Sequence, residues 1–329
     1  MHDIVLFEGD GIGPEITAAV KKIIAASGVE IKYHEFLMGN RAYEAYKVLI
    51  PEEAMEAVKK YKVALKGPIT TPIGTGFKSI NVQLRLAFDL YANLRPAKTF
   101  KGLSRFEGVD VITVRENTED LYIGEEHEIE GGFEAIKRIT EKGSERIIRW
   151  AFEYAKANGR KRVTCIHKSN ILKQSDGLFL RTFNKIKEEY PDITGDDRIV
   201  DNMCMQMVMY PEKYDVLVAP NLYGDIISDL IAGVTGGLGL VPGANIGKDV
   251  AIFEAVHGSA PDIAGKGIAN PIAMLFSACL MLDHIGEEAA ANKIRASIEK
   301  VLTEKIGLTG DLGGTGNTET ITQAIIDNL

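Results

Sequence analysis

The regular alternation of short apolar runs with amphipathic segments restricts this chain to few folds. Ile4–Phe7 reads as a strand, Pro14–Ala26 as a helix and Glu30–Phe36 as a strand. A helix opened by Pro51 then runs to Tyr61, and Val63–Leu65 is a further strand. The pattern returns as the strand Arg162–Ile166, the helix Gln174–Glu189, a strand at Ile199–Val200, and the strand Asp215–Ala219. Such alternation places helices over the faces of a parallel or mixed sheet, the α/β class. Between these blocks lie the strand Val109–Val114, a charged stretch Glu125–Thr140 that suits a hairpin arm turning at Gly131-Gly132, and the helix Ser144–Ala157. Asn221–Ala232 reads as a strand end entering a helix, and the glycine-dense Gly233–Gly247 as a loop or hinge. Ala251–Val256 is a strand, and helices near 272–285, 287–303 and 318–329 finish the chain. Its 329 residues allow one large or two ordinary domains.

The formal net charge of −8 argues against a nucleic-acid partner, because neutralising phosphates requires a basic face. An acidic chain that binds an anion must build a local basic site. Ser79-Ile80-Asn81-Val82-Gln83-Leu84-Arg85, followed by Leu94-Arg95-Pro96, is the first candidate. It sets two guanidiniums, which fork onto carboxylates, beside Ser and Asn. Surface arginines would look the same in isolation, so other parts of the chain must decide. The three cysteines, Cys165, Cys204 and Cys279, are scattered and form no CxxC. With no visible signal peptide and no apolar run long enough to span a bilayer, the expected setting is the cytoplasm, with no membrane partner.

Other groups carry possible chemistry. Gly9-Asp10-Gly11-Ile12-Gly13 lies between strand and helix but lacks the third glycine of a dinucleotide fingerprint, so a Rossmann fold is not expected. Asp225 and Asp229 lie four apart on one helical face, where like charges repel unless compensated. Their hard oxygens suit Mg²⁺ or Mn²⁺. Lys168 follows a buried strand, where sites form in α/β sheets, and Asp201 ends a strand in the same way. Tyr122, soon after Arg115, has a phenol that can donate a proton. The loop Glu254–Gly265 offers small residues, backbone donors, His257 and an acid, Asp262. An acid that accepts from ribose hydroxyls repels a 2′-phosphate and so favours NAD over NADP.

Taken together these motifs resemble the β-decarboxylating dehydrogenases, the isocitrate, homoisocitrate and 3-isopropylmalate dehydrogenase family. The markers are Gly9–Glu15, Leu84-Arg85 with Asn93-Leu94-Arg95-Pro96, Arg115–Glu119, His167-Lys168-Ser169-Asn170, Asn221–Asp229 and His257–Gly265. The resemblance covers essentially the whole chain. It implies an isocitrate/isopropylmalate dehydrogenase-like α/β fold, with a large domain from 1–98 and 246–329. A smaller domain, 99–245, is inserted and bears the clasp arm of a homodimer. It also implies oxidative decarboxylation of isocitrate with NAD and Mg²⁺ or Mn²⁺. Substrate would be held by Ser79, Asn81, Arg85, Arg95, Arg115, Tyr122, Lys168 and Asn170. The catalytic groups would be Tyr122, Lys168 and Asp201, with Lys168 and Asp201 lent by the neighbouring subunit. The metal would rest on Asp201, Asp225 and Asp229. Cofactor contacts would come from Ile69, Thr70, Thr71, Asn81, Glu254, His257, Gly258, Ser259, Ala260, Asp262, Ile263, Asn270 and Asp311. Ser79 and Asn81 stand where isopropylmalate enzymes carry apolar cover, and so select isocitrate. The alternatives are homoisocitrate or 3-isopropylmalate turnover and, in a different class, a non-catalytic regulatory subunit.

Overall fold

The computed structural model describes residues 1–70 and 79–329. The chain begins β1 (His2–Phe7), α1 (Gly13–Ala26), β2 (Ile31–Glu35), α2 (Asn40–Tyr46), α3 (Glu52–Tyr61) and β3 (Val63–Lys66). It continues through α4 (Ile80–Ala87), β4 (Ala92–Lys98), β5 (Asp110–Glu116), β6 (Glu126–Ile129), β7 (Gly132–Ala135) and α5 (Glu141–Ala157). Next come β8 (Arg162–His167), α6 (Ser175–Lys187), β9 (Thr194–Ile199), α7 (Val200–Met209), β10 (Val216–Ala219) and α8 (Asn221–Thr235). β11 (Pro242–Ile246), β12 (Ala251–Ala255), α9 (Ile272–His284), α10 (Glu288–Glu304) and α11 (Thr318–Ile326) complete it.

Ten strands form one mixed sheet in the order β2-β1-β3-β12-β11-β4-β5-β10-β8-β9. Pairing is parallel within β2-β1-β3-β12 and within β5-β10-β8-β9. It is antiparallel at β12–β11, β11–β4 and β4–β5. The sheet therefore has two parallel wings running in opposite directions, joined by β11 and β4. β6 and β7 pair only with each other, as the hairpin arm. No described helix is long and apolar enough to cross a membrane.

Two readings of the sequence are corrected by the fold. The stretch 233–247 is not simply a loop, because β11 lies within it. Its glycine and polar residues hide the strand. Gly243 is needed because a Cβ there would come 2.9 Å from the Glu254 carbonyl oxygen. Ile199–Val200 is the end of β9 and the start of α7, a helix absent from the sequence reading. Only Met203 and Met207 of α7 are buried, too thin a stripe to stand out.

Alternate residues of each strand face opposite sides of the sheet. On one side Leu6, Leu94, Val114 and Phe253 join α1, α5, α6, α9, α10 and α11 in one apolar core. On the other side there are two separate clusters. Val5, Phe7, Ala64 and Ile252 pack on α3 and α4, while Val111, Leu217 and Ala219 pack on α7 and α8. Between them the sheet turns polar, with Lys66, Glu254, Asn245, Asn93, Arg95, Thr113 and Arg115 on that face.

Candidate active site

The polar strip is where α4 and α8 leave the sheet uncovered. Arg95 and Asn93 share one face of β4, and the β4–β5 register sets Asn93 opposite Arg115 and Arg95 opposite Thr113. α8 lies directly over β5, which requires Gly224: a Cβ there would come 2.7 Å from Arg115 Cβ. This close approach brings Asp225 to the arginines. Arg95 donates to Asp225 Oδ1 at 3.2 Å and to Ser228 Oγ at 2.7 Å, and lies 3.5 Å from Asp229. Arg115 pairs with the same carboxylate and donates through Nε to Asn221 at 2.9 Å. The Tyr122 hydroxyl donates to Asp225 Oδ2, and the Arg115 guanidinium lies 4.9 Å from the Tyr122 ring centre.

A second layer holds these groups in place. Asn93 accepts from Arg95 Nε at 2.9 Å and donates to Asn245 at 2.7 Å. Asn245 also accepts from Asn117 and donates to Glu254 at 2.8 Å, and Glu254 pairs with buried Lys66. None of Lys66, Asn93, Asn117 and Asn245 was given a role from the sequence, although Asn93 and Asn117 lie within the family markers. The Asn93-Leu94-Arg95 alternation held the one available signal, since residues two apart in a strand share a face.

The electrostatics are those of an anion site. Burial lowers the Arg115 pKa to about 9, assisted by the neighbouring Arg95 and Arg85. Burial likewise lowers that of Arg85, with Arg95 adding to the effect. Burial pushes the Asp225 carboxyl up, but Arg115, the Tyr122 hydrogen bond and the other arginines outweigh it, so Asp225 is held ionised. Asp229 lies above its ordinary value through burial and Asp225. Tyr122 is raised by burial and then by its bond to Asp225, and therefore keeps its proton.

A cavity of about 140 Å³ opens on this network, lined by Asn81, Arg85, Arg95, Glu254, Ile69 and His257 among others. Among the described residues, Arg85 Nε, Arg115 Nη2 and Asn81 Oδ1 are buried without a hydrogen-bond partner. Leaving such groups unpaired is costly. Ser79 does not line this cavity; it is exposed and caps α4, accepting from the Val82 amide at 3.5 Å. His257 and Gly258 also line an adjoining cleft of about 820 Å³, with Ala260, Ile263, Asn270 and Asp311. Asn270 donates to Asp311 at 3.0 Å, and the Ser259 and Thr70 hydroxyls lie 2.6 Å apart. Burial lowers the His257 pKa, and its Nε2 has no partner among the described residues. Asp262 is exposed and does not line the cleft. Thr71 falls outside the described residues.

Lys168 and Asp201 pair with each other after β8 and in the first turn of α7. Neither touches the arginine cluster, and Asn170 is exposed. Asp225 and Asp229 offer hard oxygens on one helix. Among the described residues, no three acidic, His or Cys side chains of this chain group as a metal site. The two carboxylates suit a divalent cation in chemistry, and in this chain they face Arg95 and Arg115.

An oxyanion-binding α/β protein with a proton-holding phenol and a long adjoining cleft is the class this geometry defines. The family profile for isocitrate/isopropylmalate dehydrogenase matches residues 3–329, and the chain belongs to that family. It is 49% identical to a mitochondrial NAD isocitrate dehydrogenase catalytic subunit of Arabidopsis thaliana, over 98% of this chain and 87% of that one. It is 47% identical to a mitochondrial NAD isocitrate dehydrogenase regulatory subunit of Dictyostelium discoideum, over 100% and 92%. The crystal structure of isocitrate dehydrogenase from Methylococcus capsulatus superposes with a TM-score of 0.96 at 50% identity, covering 100% and 99%. Two expectations change. Both curated relatives are named mitochondrial, which overturns the cytoplasmic setting. Both are named as subunits of catalytic or regulatory type, which gives a homodimer no support.

Proposed function

We propose that the chain oxidises and decarboxylates isocitrate to 2-oxoglutarate with NAD⁺. The observation that carries this reading is the pair Arg85 and Arg95 on one small cavity, with Arg115 beside them on the Asp225 carboxylate that Arg95 also pairs, and with buried N–H groups unpaired among the described residues. Three guanidiniums suit a substrate with three carboxylates. Asn81 lines the same cavity, and Ser79 caps α4 two residues before it, outside the lining; together they would read the carboxylate that distinguishes isocitrate. NAD⁺ in the adjoining cleft would accept hydride, and Mg²⁺ or Mn²⁺ on Asp225, Asp229 and Asp201 of the partner subunit would polarise the C2 oxygen as a Lewis acid.

The residues then divide the work. Arg85, Arg95 and Arg115 orient the carboxylates. Lys168 of the partner subunit, working with its Asp201, takes the C2 hydroxyl proton as hydride leaves. Loss of CO₂ leaves an electron pair at C3, and Tyr122 protonates that carbon from its phenol. The isolated Lys168–Asp201 pair and the exposed apolar groups Ile129, Phe133, Val208 and Met209 support a second subunit, either a copy of this chain or a related one. The opposed wings support a larger unit of 1–98 and 246–329 and a smaller one of 99–245.

The test is NADH formation by the purified chain with Mn²⁺, comparing kcat/KM for isocitrate, homoisocitrate and 3-isopropylmalate, with NAD⁺ and NADP⁺. A preference for 3-isopropylmalate overturns the roles of Ser79 and Asn81. The Dictyostelium relative's name favours one second reading, a regulatory subunit. Isocitrate binding without NADH formation would establish that reading.

A further inference from the structure

Two carboxylates that the mechanism does not use are wholly buried: Asp120 and Asp176, both at 0% exposure. They face the same cation. Lys137 Nζ lies 2.8 Å from Asp176 Oδ1, 3.7 Å from Asp120 Oδ1 and 4.1 Å above the centre of the Tyr223 ring. Each partner is fixed to a different functional segment. Asp120 caps the turn that carries Tyr122, accepting from the Leu121 amide at 2.9 Å, and accepts from the Leu222 amide in the first turn of α8, the helix of Asp225. Asp176 accepts from the backbone amide of Lys168 at 2.7 Å. Lys137 itself follows the hairpin arm by two residues, and next to it the Arg138 carbonyl accepts from the Asp120 amide at 2.8 Å.

Asp120 also holds φ 68° and ψ −148°, a conformation that is essentially glycine's. An aspartate persists there only when its surroundings over-determine it. Three backbone hydrogen bonds and an ion pair do so. A solvated surface lysine would need none of this.

We propose that Lys137 is a positioning residue: through Asp176 and Asp120 it fixes the Lys168 loop, the Tyr122 turn and the root of the arm as one rigid unit. With Lys168 lent to the partner subunit, the cluster ties the acid of one site to the base of the other. Docking of the arm on a second subunit then sets both groups together. This rests on the reading of Lys168 as base, so the test includes a measurement that needs no turnover.

The variants are Lys137→Met and Lys137→Arg. The readouts are the steady-state parameters for isocitrate and the rate at which Lys168 is acylated by acetic anhydride, followed by mass spectrometry. Lys137→Met is expected to lower kcat about tenfold or more, with KM within about threefold. It is also expected to change the Lys168 acylation rate by about threefold or more. Lys137→Arg keeps the charge and should restore most of both. A folded Lys137→Met protein with unaltered Lys168 acylation overturns the proposal, and so does a Lys137→Arg protein no better than Lys137→Met. If Lys137→Met does not fold, the charge-neutral pair Lys137→Gln with Asp176→Asn is judged by the same two thresholds. A parent protein inactive on isocitrate would defeat the functional reading, while the acylation comparison would still decide the positioning role.

Discussion

On one face of the sheet Leu6, Leu94, Val114 and Phe253 meet a continuous layer of helices; one residue further along the same four strands, Phe7, Arg95, Arg115 and Glu254 face the other way. The first face holds one continuous apolar core, with a cleft of about 300 Å³ where Pro96 and Ile112 lie between α5 and α9. The second has two apolar clusters with a charged strip between them. The two faces share every strand, so they are built on the same backbone with the same register. What separates them is the choice of side chain at alternate positions and the placing of α4 and α8. A buried Leu or Ile contributes about 1.5–3 kcal/mol to stability, whereas buried like charges give up stability for binding. The closed face therefore carries the fold, and the open face carries the chemistry.

That division can be broken by substitution. The largest effect is expected from Tyr122→Phe, with kcat on isocitrate falling about 10²–10⁴-fold while KM and the melting temperature stay near those of the parent. Steady-state kinetics and calorimetry check it, and unchanged turnover would remove Tyr122 from the acid role. The mirror image is Leu275→Ala on the closed face. It should cost about 2–5 kcal/mol in denaturant unfolding and leave kcat/KM of the folded enzyme intact.

A pH series sharpens the contrast. Asp225 and Glu254 both sit below their ordinary values in the folded state, against the pull of burial, because cations face them. Their stabilisation is present above the unfolded carboxylate pKa and lost as pH falls through the depressed folded one. Unfolding free energies from pH 6 downward should therefore drop less steeply for Asp225→Asn than for the parent; equal slopes would contradict the ionised role of Asp225. The smallest pair of effects concerns the cofactor cleft. Asp311→Ala should raise the NAD⁺ KM about tenfold, as the loss of one hydrogen bond to a charged group does. Asp262→Ala, outside the cleft, should change it less than about twofold. The opposite order would restore Asp262 as the acid that reads the ribose.

Much of this was legible in the sequence because it obeys periodic rules. The strand and helix alternation placed β1, β3, β5, β8, β10 and β12; of the arginines expected in one site, Arg95 and Arg115 share Asp225, and Arg85 lines a cavity with Arg95. The glycines around β11 spoke for a loop because the strand is chosen by a close approach to β12, a tertiary fact. α7 was invisible because it buries only two methionines. Ser79 and Asp262 were chosen by residue type; both are exposed, one outside the cavity lining and the other outside the cleft lining, a placement that residue type alone does not give. The asparagines at 93, 117 and 245 received no role, though two lie in the family markers, because hub residues have meaning only once the strands are side by side.

One feature of the sheet bears on how the chain is made. Asn93 and Asn245 are hydrogen-bonded partners 152 residues apart, and Arg95 leans on Asn93. As the polypeptide leaves the ribosome, the wing of β5, β8, β9 and β10 is complete before residue 242 emerges, and β1 to β3 are complete long before that. The strand that joins the wings arrives late, and pairings across such a separation form slowly. Until then β4 has one unpaired edge, and Arg95 loses its water only when the surrounding elements close over it. The polar strip is thus among the last parts of the sheet to close during synthesis, because β11 and then β12 arrive after both wings have begun.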